Sequence, residues 1–176
     1  MTKRKKVFRR SIWDADKRYV LPENLSQPEV AEMIKTLRWV EAAKKRVPPI
    51  PDQGLLAIAR FAALVPEPKE AKPDTIATFL RDATSVFGAG PAVCICMLAV
   101  LKGGEYPPMD RKIVEGLLKM EAVSKDEAAS LSSADSGSFA NVYFEKVIPA
   151  WNAARAEGKR TPEQADEYIA RGGNDS

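Results

Sequence analysis

Apolar residues recur at intervals of three and four along most of the chain, which is the spacing of an amphipathic helix. Strand-like alternation is scarce, and prolines and glycines punctuate the helical stretches. The helical stretches cover residues 30–40, 55–64, 76–83, 92–101, 113–118 and 139–148. We therefore predict an all-α, compact multi-helix domain of about seven or eight helices.

Several helix boundaries are also predicted by local sequence. Two capping boxes indicate helix starts, at Ser26-Gln27-Pro28-Glu29 and at Thr161-Pro162-Glu163-Gln164. The first of these helices should end near Arg46, because the prolines after it cannot continue a helix. Residues 131–138 are rich in serine, a composition that predicts a loop. Pro149 should interrupt or restart the helix that follows that loop.

The most apolar segment, residues 92–101, predicts a central helix. It is half as long as a membrane-spanning helix, which needs about 20 apolar residues. Cys94 and Cys96 lie within it and are expected to be small buried hydrophobes. Their spacing points them to different sides of a helix, so they cannot chelate one ion together. The chain has no histidine, which excludes Ser-His-Asp catalysis and histidine-ligated zinc.

Charge is divided unevenly along the chain. Of 27 basic residues, six fall within the first ten positions, where there is no acid; the remainder has 21 basic residues against 24 acidic ones. We predict a basic, flexible tail at residues 1–10 and a single domain at residues 11–176. A basic tail can bind phosphate polymers without sequence preference. Because the N-terminal residues lack the apolar stretch of a secretory signal, we expect a cytoplasmic or nucleoid-associated protein that is not secreted.

A Gly-x-Gly turn between two predicted helices is the first functional signal. Gly88-Ala89-Gly90 separates them, and Pro91 suits the first turn of the second helix. Glycines allow backbone to approach a phosphate closely, and a helix N-terminus offers unpaired N–H groups to that anion. The alternative is an ordinary helix end followed by a helix start.

A second signal follows twenty residues after Gly90, where Tyr106-Pro107-Pro108-Met109-Asp110 leads into the next helix. Asp110 could be a plain N-cap. The two signals at this separation resemble the helix-hairpin-helix DNA glycosylases, the base-excision repair superfamily. Residues 86–94 are similar to its hairpin, and residues 108–114 to the segment that carries its catalytic aspartate. The Gly-x-Gly-Pro-Ala and Tyr-Pro-x-Met-Asp patterns are similar to an uncharacterised subgroup with no established substrate.

This resemblance implies a DNA-glycosylase-like fold, double-stranded DNA as the partner and a monofunctional N-glycosylase activity. It implies Asp110 as the catalytic carboxylate. It implies contacts to DNA from Gly88, Ala89, Gly90, Pro91, Ala92, Arg111 and Lys112. A flipped base needs planar neighbours, for which Tyr106, Trp39 and Trp151 are candidates.

Departures from the family pattern limit the chemistry. Ala92 stands where bifunctional members carry a lysine, so Schiff-base strand cleavage is not expected. Phe87 stands in place of the usual proline before the first glycine. Two cysteines cannot hold a four-cysteine iron–sulfur cluster. We expect no metal and no cofactor, apart from a monovalent ion that could bind at the hairpin.

Two other functions remain open from the sequence. The chain could be a non-catalytic DNA-binding module of repair, defence or regulation, consistent with its slightly acidic body and missing lysine. It could also be an all-α protein-interaction domain in which the glycine turn has no ligand. Neither the recognised base nor any protein partner is specified by the sequence. A basic group on the first predicted helix, which includes Lys35 and Arg38, is a further candidate for phosphate contact.

Overall fold

The computed structural model describes residue 13 and residues 27–43, 49–86 and 90–175, and this part of the chain contains helices and no β-strand. The helices in chain order are α1 (Gln27–Ala43), α2 (Asp52–Ala63), α3 (Pro73–Thr84), α4 (Pro91–Leu101), α5 (Arg111–Lys119), α6 (Lys125–Leu131), α7 (Ser136–Val142), α8 (Ile148–Glu157) and α9 (Pro162–Ala170). A π-helical segment, Tyr143–Val147, joins α7 to α8 without a break. The predicted all-α class is confirmed.

Helix α4 lies at the centre of the fold, as its composition predicts. Every residue from Cys94 to Leu101 is buried, and α1, α2 and α3 all pack against it. Burying a leucine or isoleucine side chain contributes about 1.5–3 kcal/mol, so this helix is a principal source of hydrophobic stabilisation. Cys94 and Cys96 are both buried, in agreement with the sequence.

The C-terminal helices form the other side of the core. Helix α7 packs along α3 and α6, and α9 packs against α5 and α8. The approach of α9 to α5 is close because Gly116 has no side chain: a Cβ there would overlap the carbonyl oxygen of Ile169. The buried side chains of both sides belong to one continuous apolar cluster.

Side-chain caps fix the start of four helices. In each case the side chain of the N-cap residue accepts a hydrogen bond from the backbone N–H three residues later. The caps are Asp110, Ser124, Asp135 and Thr161, at the N-termini of α5, α6, α7 and α9. The capping box predicted at Thr161 is confirmed. Ser26, the other predicted cap, lies outside the described residues.

Three sequence predictions for this region need correction. Residues 131–138 are not all loop, because Asp135 caps α7 and the helix already begins at Ser136. Helix α6 was missed, although Ser124 and Glu127 form a capping box of the same kind as Thr161 and Gln164. Pro149 does not interrupt the helix, because α7, the π-helical segment and α8 follow one another without a break and Pro149 stands in the first turn of α8.

None of the helices in the described residues is long and apolar enough to cross a membrane.

Candidate active-site cavity

The loop between α4 and α5, residues 103–110, leads directly to Asp110. It starts at Gly103 and Gly104, whose positive φ angles of 64° and 84° favour glycine. It continues through Pro107 and Pro108, both of which are buried. Proline has no N–H, so a buried Pro-Pro pair needs partners only for its carbonyl groups.

Side chains of the core hold this loop by its carbonyl oxygens. Trp151 Nε1–H donates to the carbonyl of Gly104 at 3.0 Å. Tyr143 Oη–H donates to the carbonyl of Pro107 at 2.6 Å, and Cys96 Sγ lies 3.3 Å from the carbonyl of Met109 as a donor. Buried hydrogen bonds of this kind are costly to break, because the carbonyl loses a partner that water does not readily replace. The backbone leading to Asp110 is therefore fixed from several directions.

Tyr106 ties the same loop to the opposite side of the fold. Its hydroxyl donates to the carbonyl of Pro66, between α2 and α3, at 2.7 Å. Burial raises the pKa of Tyr106, and burial together with the charge of Tyr106 raises the pKa of Tyr143 well above its ordinary value. Both hydroxyls therefore stay neutral donors over the physiological pH range.

Asp110 is the N-cap of α5. Its Oδ1 accepts the N–H of Ile113 at 2.8 Å, and its backbone is extended, with φ −151° and ψ 175°. The cap contributes about 1 kcal/mol to the helix. The sequence left two roles open for Asp110, an N-cap and a functional carboxylate. The structure confirms the N-cap, and one carboxylate can have both roles.

A cavity of about 360 Å³ opens beside Asp110. Ala92, in the first turn of α4, lines it together with Asp110 and Arg111, and the end of α6 contributes Leu131 and its C-cap Ser132. The remaining lining residues are Met109, Val114 and Glu115. Small-molecule sites are typically clefts of roughly 300–1,000 Å³ with apolar walls and a few polar groups, and this cavity has that character. The structure thus brings the N-termini of α4 and α5 to one place.

The start of α4 is open toward this cavity. No described side chain caps α4, because Gly90 is its N-cap. Gly90 has an ordinary φ of −75°, and a Cβ there would meet no described atom within 4 Å. Packing against the described residues therefore does not itself require glycine at position 90. Pro91 occupies the first turn as predicted, whereas Phe87, Gly88 and Ala89 lie outside the described residues.

Two basic side chains lie at the outer edge of α5. Arg111 is almost fully exposed, and its Nε–H donates to Glu115 Oε1 at 2.9 Å. Such an exposed pair contributes only about 0–1 kcal/mol, so an incoming phosphate could displace Glu115 at little cost. Lys112 is also exposed.

The chain matches no protein-family model, and comparisons with curated proteins and with solved structures find no match either. The resemblance to glycosylases thus depends on the residues themselves. Among the described residues, no group of three or more histidine, cysteine, aspartate or glutamate side chains could hold a metal ion.

The three aromatic residues proposed for a base pocket lie elsewhere. Tyr106 and Trp151 are fully buried core residues whose polar atoms hold the loop, so neither ring faces the cavity opening. Trp39 on α1 is 46% exposed but does not line the cavity. Burial and hydrogen bonding thus give Tyr106 and Trp151 positioning roles. Two residues of the cavity wall that sequence reasoning missed, Leu131 and Ser132, belong to no motif.

The basic group on α1 also has a structural use. Arg38 donates to Glu41 within α1 at 2.9 Å and to Asp52 at 2.6 Å, and the second bond connects α1 to the start of α2. The hydrogen bond to Asp52 is the main cause of a raised pKa at Arg38. Glu41 is buried and accepts the N–H of Ile50 at 2.7 Å. Arg38 is therefore engaged within the protein, while Lys35 is exposed.

Proposed function

We propose that this protein binds double-stranded DNA through the turn before α4 and acts as a monofunctional DNA N-glycosylase, with Asp110 as its catalytic carboxylate. One observation carries the proposal: Ala92 at the start of α4 and Asp110 at the start of α5 line the same cavity. These residues are eighteen positions apart in sequence, so their meeting is a property of the fold.

The chemistry needs a carboxylate at such a place. Breaking an N-glycosidic bond builds positive charge on the sugar as the base leaves. A nearby carboxylate can stabilise that charge or activate the attacking water. The target base must leave the stack before its bond is accessible, and apolar walls such as Met109, Val114 and Leu131 suit the face of a flipped base.

DNA would be held at the edges of the cavity. The uncapped N-terminus of α4 presents backbone N–H groups and the positive end of its dipole, which favour a phosphate. No described atom lies within 4 Å of the place of a Cβ at Gly90, which suits a close approach from outside. Arg111 and Lys112 add positive charge beside Asp110. Because Ala92 replaces the lysine of bifunctional enzymes, the proposal includes no strand cleavage.

A binding comparison tests the proposal without a guess at the substrate base. The affinities of two matched duplexes are measured, one intact and one containing a stable abasic-site analogue, with protein lacking residues 1–10. We expect a clear preference for the abasic duplex. No binding to either duplex would contradict the proposal and would favour a protein-interaction domain.

The role of Asp110 is tested with a matched pair of variants. Asparagine caps helices about as well as aspartate, so Asp110→Asn should fold normally while base release falls by roughly 100-fold or more, the usual contribution of such a group. Asp135→Asn is the control, because Asp135 caps α7 through Ser138 but does not line the cavity. Base release is followed on a panel of damaged and modified duplexes. Full activity in Asp110→Asn would rule out the catalytic role.

A non-catalytic DNA-binding module is the second candidate, and the cap itself favours it. Oδ1 of Asp110 already serves α5 through its bond to Ile113, which is reason enough for an aspartate at this position. This alternative predicts that Gly90→Val weakens DNA binding while Asp110→Asn does not alter it, and that no duplex on the panel loses a base.

A further inference from the structure

A second cavity, of about 340 Å³ and lined mainly by polar side chains, lies between the turn before α9 and the residues that follow α9. Arg160 is its central side chain. Its Nη2 donates to both carboxylate oxygens of Asp175, at 2.9 and 3.0 Å, and its Nε donates to Oδ1 of the same residue at 3.3 Å. A planar guanidinium that grips two oxygens in this way is the typical arrangement for recognising a carboxylate or a phosphate.

The orientation of Arg160 is fixed by contacts that do not involve Asp175. Its Cζ lies 3.7 Å from the centre of the Tyr168 ring, a close cation–π contact. Its Nη1 donates to the carbonyl of Ala154 at 2.6 Å. The guanidinium also lies against the backbone of Gly158, where a Cβ would come within 2.6 Å of Cζ. The side chain is only 12% exposed, so these contacts hold the guanidinium in a preorganised position.

Asp175 is much less constrained than the arginine it contacts. Its side chain is 76% exposed, and an ion pair of that exposure contributes little stability. Arg171 also lies at this place: its Nη1 donates to the backbone carbonyl of Asp175 at 3.4 Å, while its Nη2 pairs with the carboxylate of Glu167, which also lines the cavity, at 3.4 Å. A strongly oriented arginine thus faces a weakly held carboxylate.

We propose that the Arg160 cavity binds the oxyanion of a ligand, a phosphate or a carboxylate group, and that Asp175 occupies the site as an internal competitor. The proposal is independent of any activity at Asp110. If Asp175 fills the site for about 90% of the time, it raises the apparent Kd of an external anion about tenfold.

Anion titration of the full-length protein tests this. Inorganic phosphate and acetate are added in separate arms, and the Nε–H signal of Arg160 is followed by NMR. Asp175→Asn removes the competitor, and Asp126→Asn makes the same change of charge at an exposed position on α6. We expect at least one of the two anions to bind Asp175→Asn about tenfold more tightly than it binds Asp126→Asn. The arm that responds more strongly identifies the anion as phosphate or carboxylate.

The proposal has two ways to fail. Equal affinities of Asp175→Asn and Asp126→Asn for both anions would show that Asp175 blocks nothing. Unchanged phosphate and acetate binding after Arg160→Lys is added to Asp175→Asn would show that the anion binds elsewhere, since lysine keeps the charge but loses the planar pair of donors. The first comparison leaves Arg160 intact, so it remains decisive even if the double variant folds poorly.

Discussion

Two glycines, Gly116 and Gly90, differ in the space that surrounds them. At Gly116 a Cβ would overlap the carbonyl oxygen of Ile169, so any side chain must push α9 away from α5. At Gly90 a Cβ would meet no described atom within 4 Å, and the backbone is already in a region open to every residue. Gly116 is therefore needed for packing, whereas packing against the described residues places no such requirement on Gly90.

This difference gives a prediction at the scale of single residues. Gly116→Ala should lower the free energy of unfolding by about 1–3 kcal/mol through overpacking. Gly90→Ala, the matched change, should stay within about 1 kcal/mol of the unaltered protein, since alanine only caps less well than glycine. Urea unfolding followed by circular dichroism measures both. A larger loss in Gly90→Ala than in Gly116→Ala would contradict the packing explanation.

At the scale of elements, α6 depends on its capping box. Ser124 Oγ accepts the N–H of Glu127 at 3.1 Å, and Glu127 Oε1 accepts the N–H of Ser124 at 2.9 Å. Helix α6 has seven residues, too few to be stable by propensity alone. Ser124→Ala should cost about 1 kcal/mol in urea unfolding. Ser130→Ala, within the same helix, should be nearly neutral, and equal losses in both variants would argue against the cap.

The same cap predicts a dependence on pH. The hydrogen bond from the Ser124 N–H is the main reason that the pKa of Glu127 lies below its ordinary value of 4.5. A carboxyl group whose pKa is lowered by folding stabilises the protein above its ordinary pKa, and this contribution is lost as the pH falls through the folded value. The melting temperature of Glu127→Gln should therefore fall below that of the unaltered protein at pH 7, and the difference should shrink as the pH falls below 4.5. A constant difference between the two would show that charge is not involved.

Sequence patterns predict the helices to the extent that local chemistry determines them. The apolar run of α4 and the capping box at Thr161 each predict a helix strongly, and the structure confirms both helices. Helix α6 was missed because seven residues barely show a helical period, although its capping box was present in the sequence. The start of α7 was missed because serine and glycine favour turns, whereas Asp135 and the packing of Phe139 stabilise a helix there.

For the candidate site too, local sequence predicts single residues but not which side chains surround them. Asp110 was found through its place after two prolines, but the side chains that surround it come from α4, α5 and the end of α6. Tyr106 and Trp151 were reasonable aromatic candidates, yet their roles depend on which carbonyl groups they reach across the fold. Distances of that kind arise from packing between helices and leave no local pattern.

At the scale of the whole molecule, two tyrosine hydroxyls connect the Asp110 loop to the rest of the protein. Tyr106 joins it to the carbonyl of Pro66 and Tyr143 joins the π-helical segment to the carbonyl of Pro107. Each hydroxyl acts as a donor, and ionisation would place a phenolate against a carbonyl oxygen. Burial raises the pKa of both groups, so the folded state keeps them neutral.

The stability of the whole fold should therefore decline in alkaline solution. A tyrosine whose pKa is raised by folding contributes stability that is complete below its unfolded pKa of about 10 and is lost progressively as the pH rises above that value. We expect the phenolate absorbance of Tyr106 and Tyr143 to emerge together with the loss of helical circular dichroism as the pH is raised. Phe variants at the two positions identify the contribution of each ring to the absorbance. Ionisation of both tyrosines while the helical signal stays intact would show that these hydroxyls do not hold the loop.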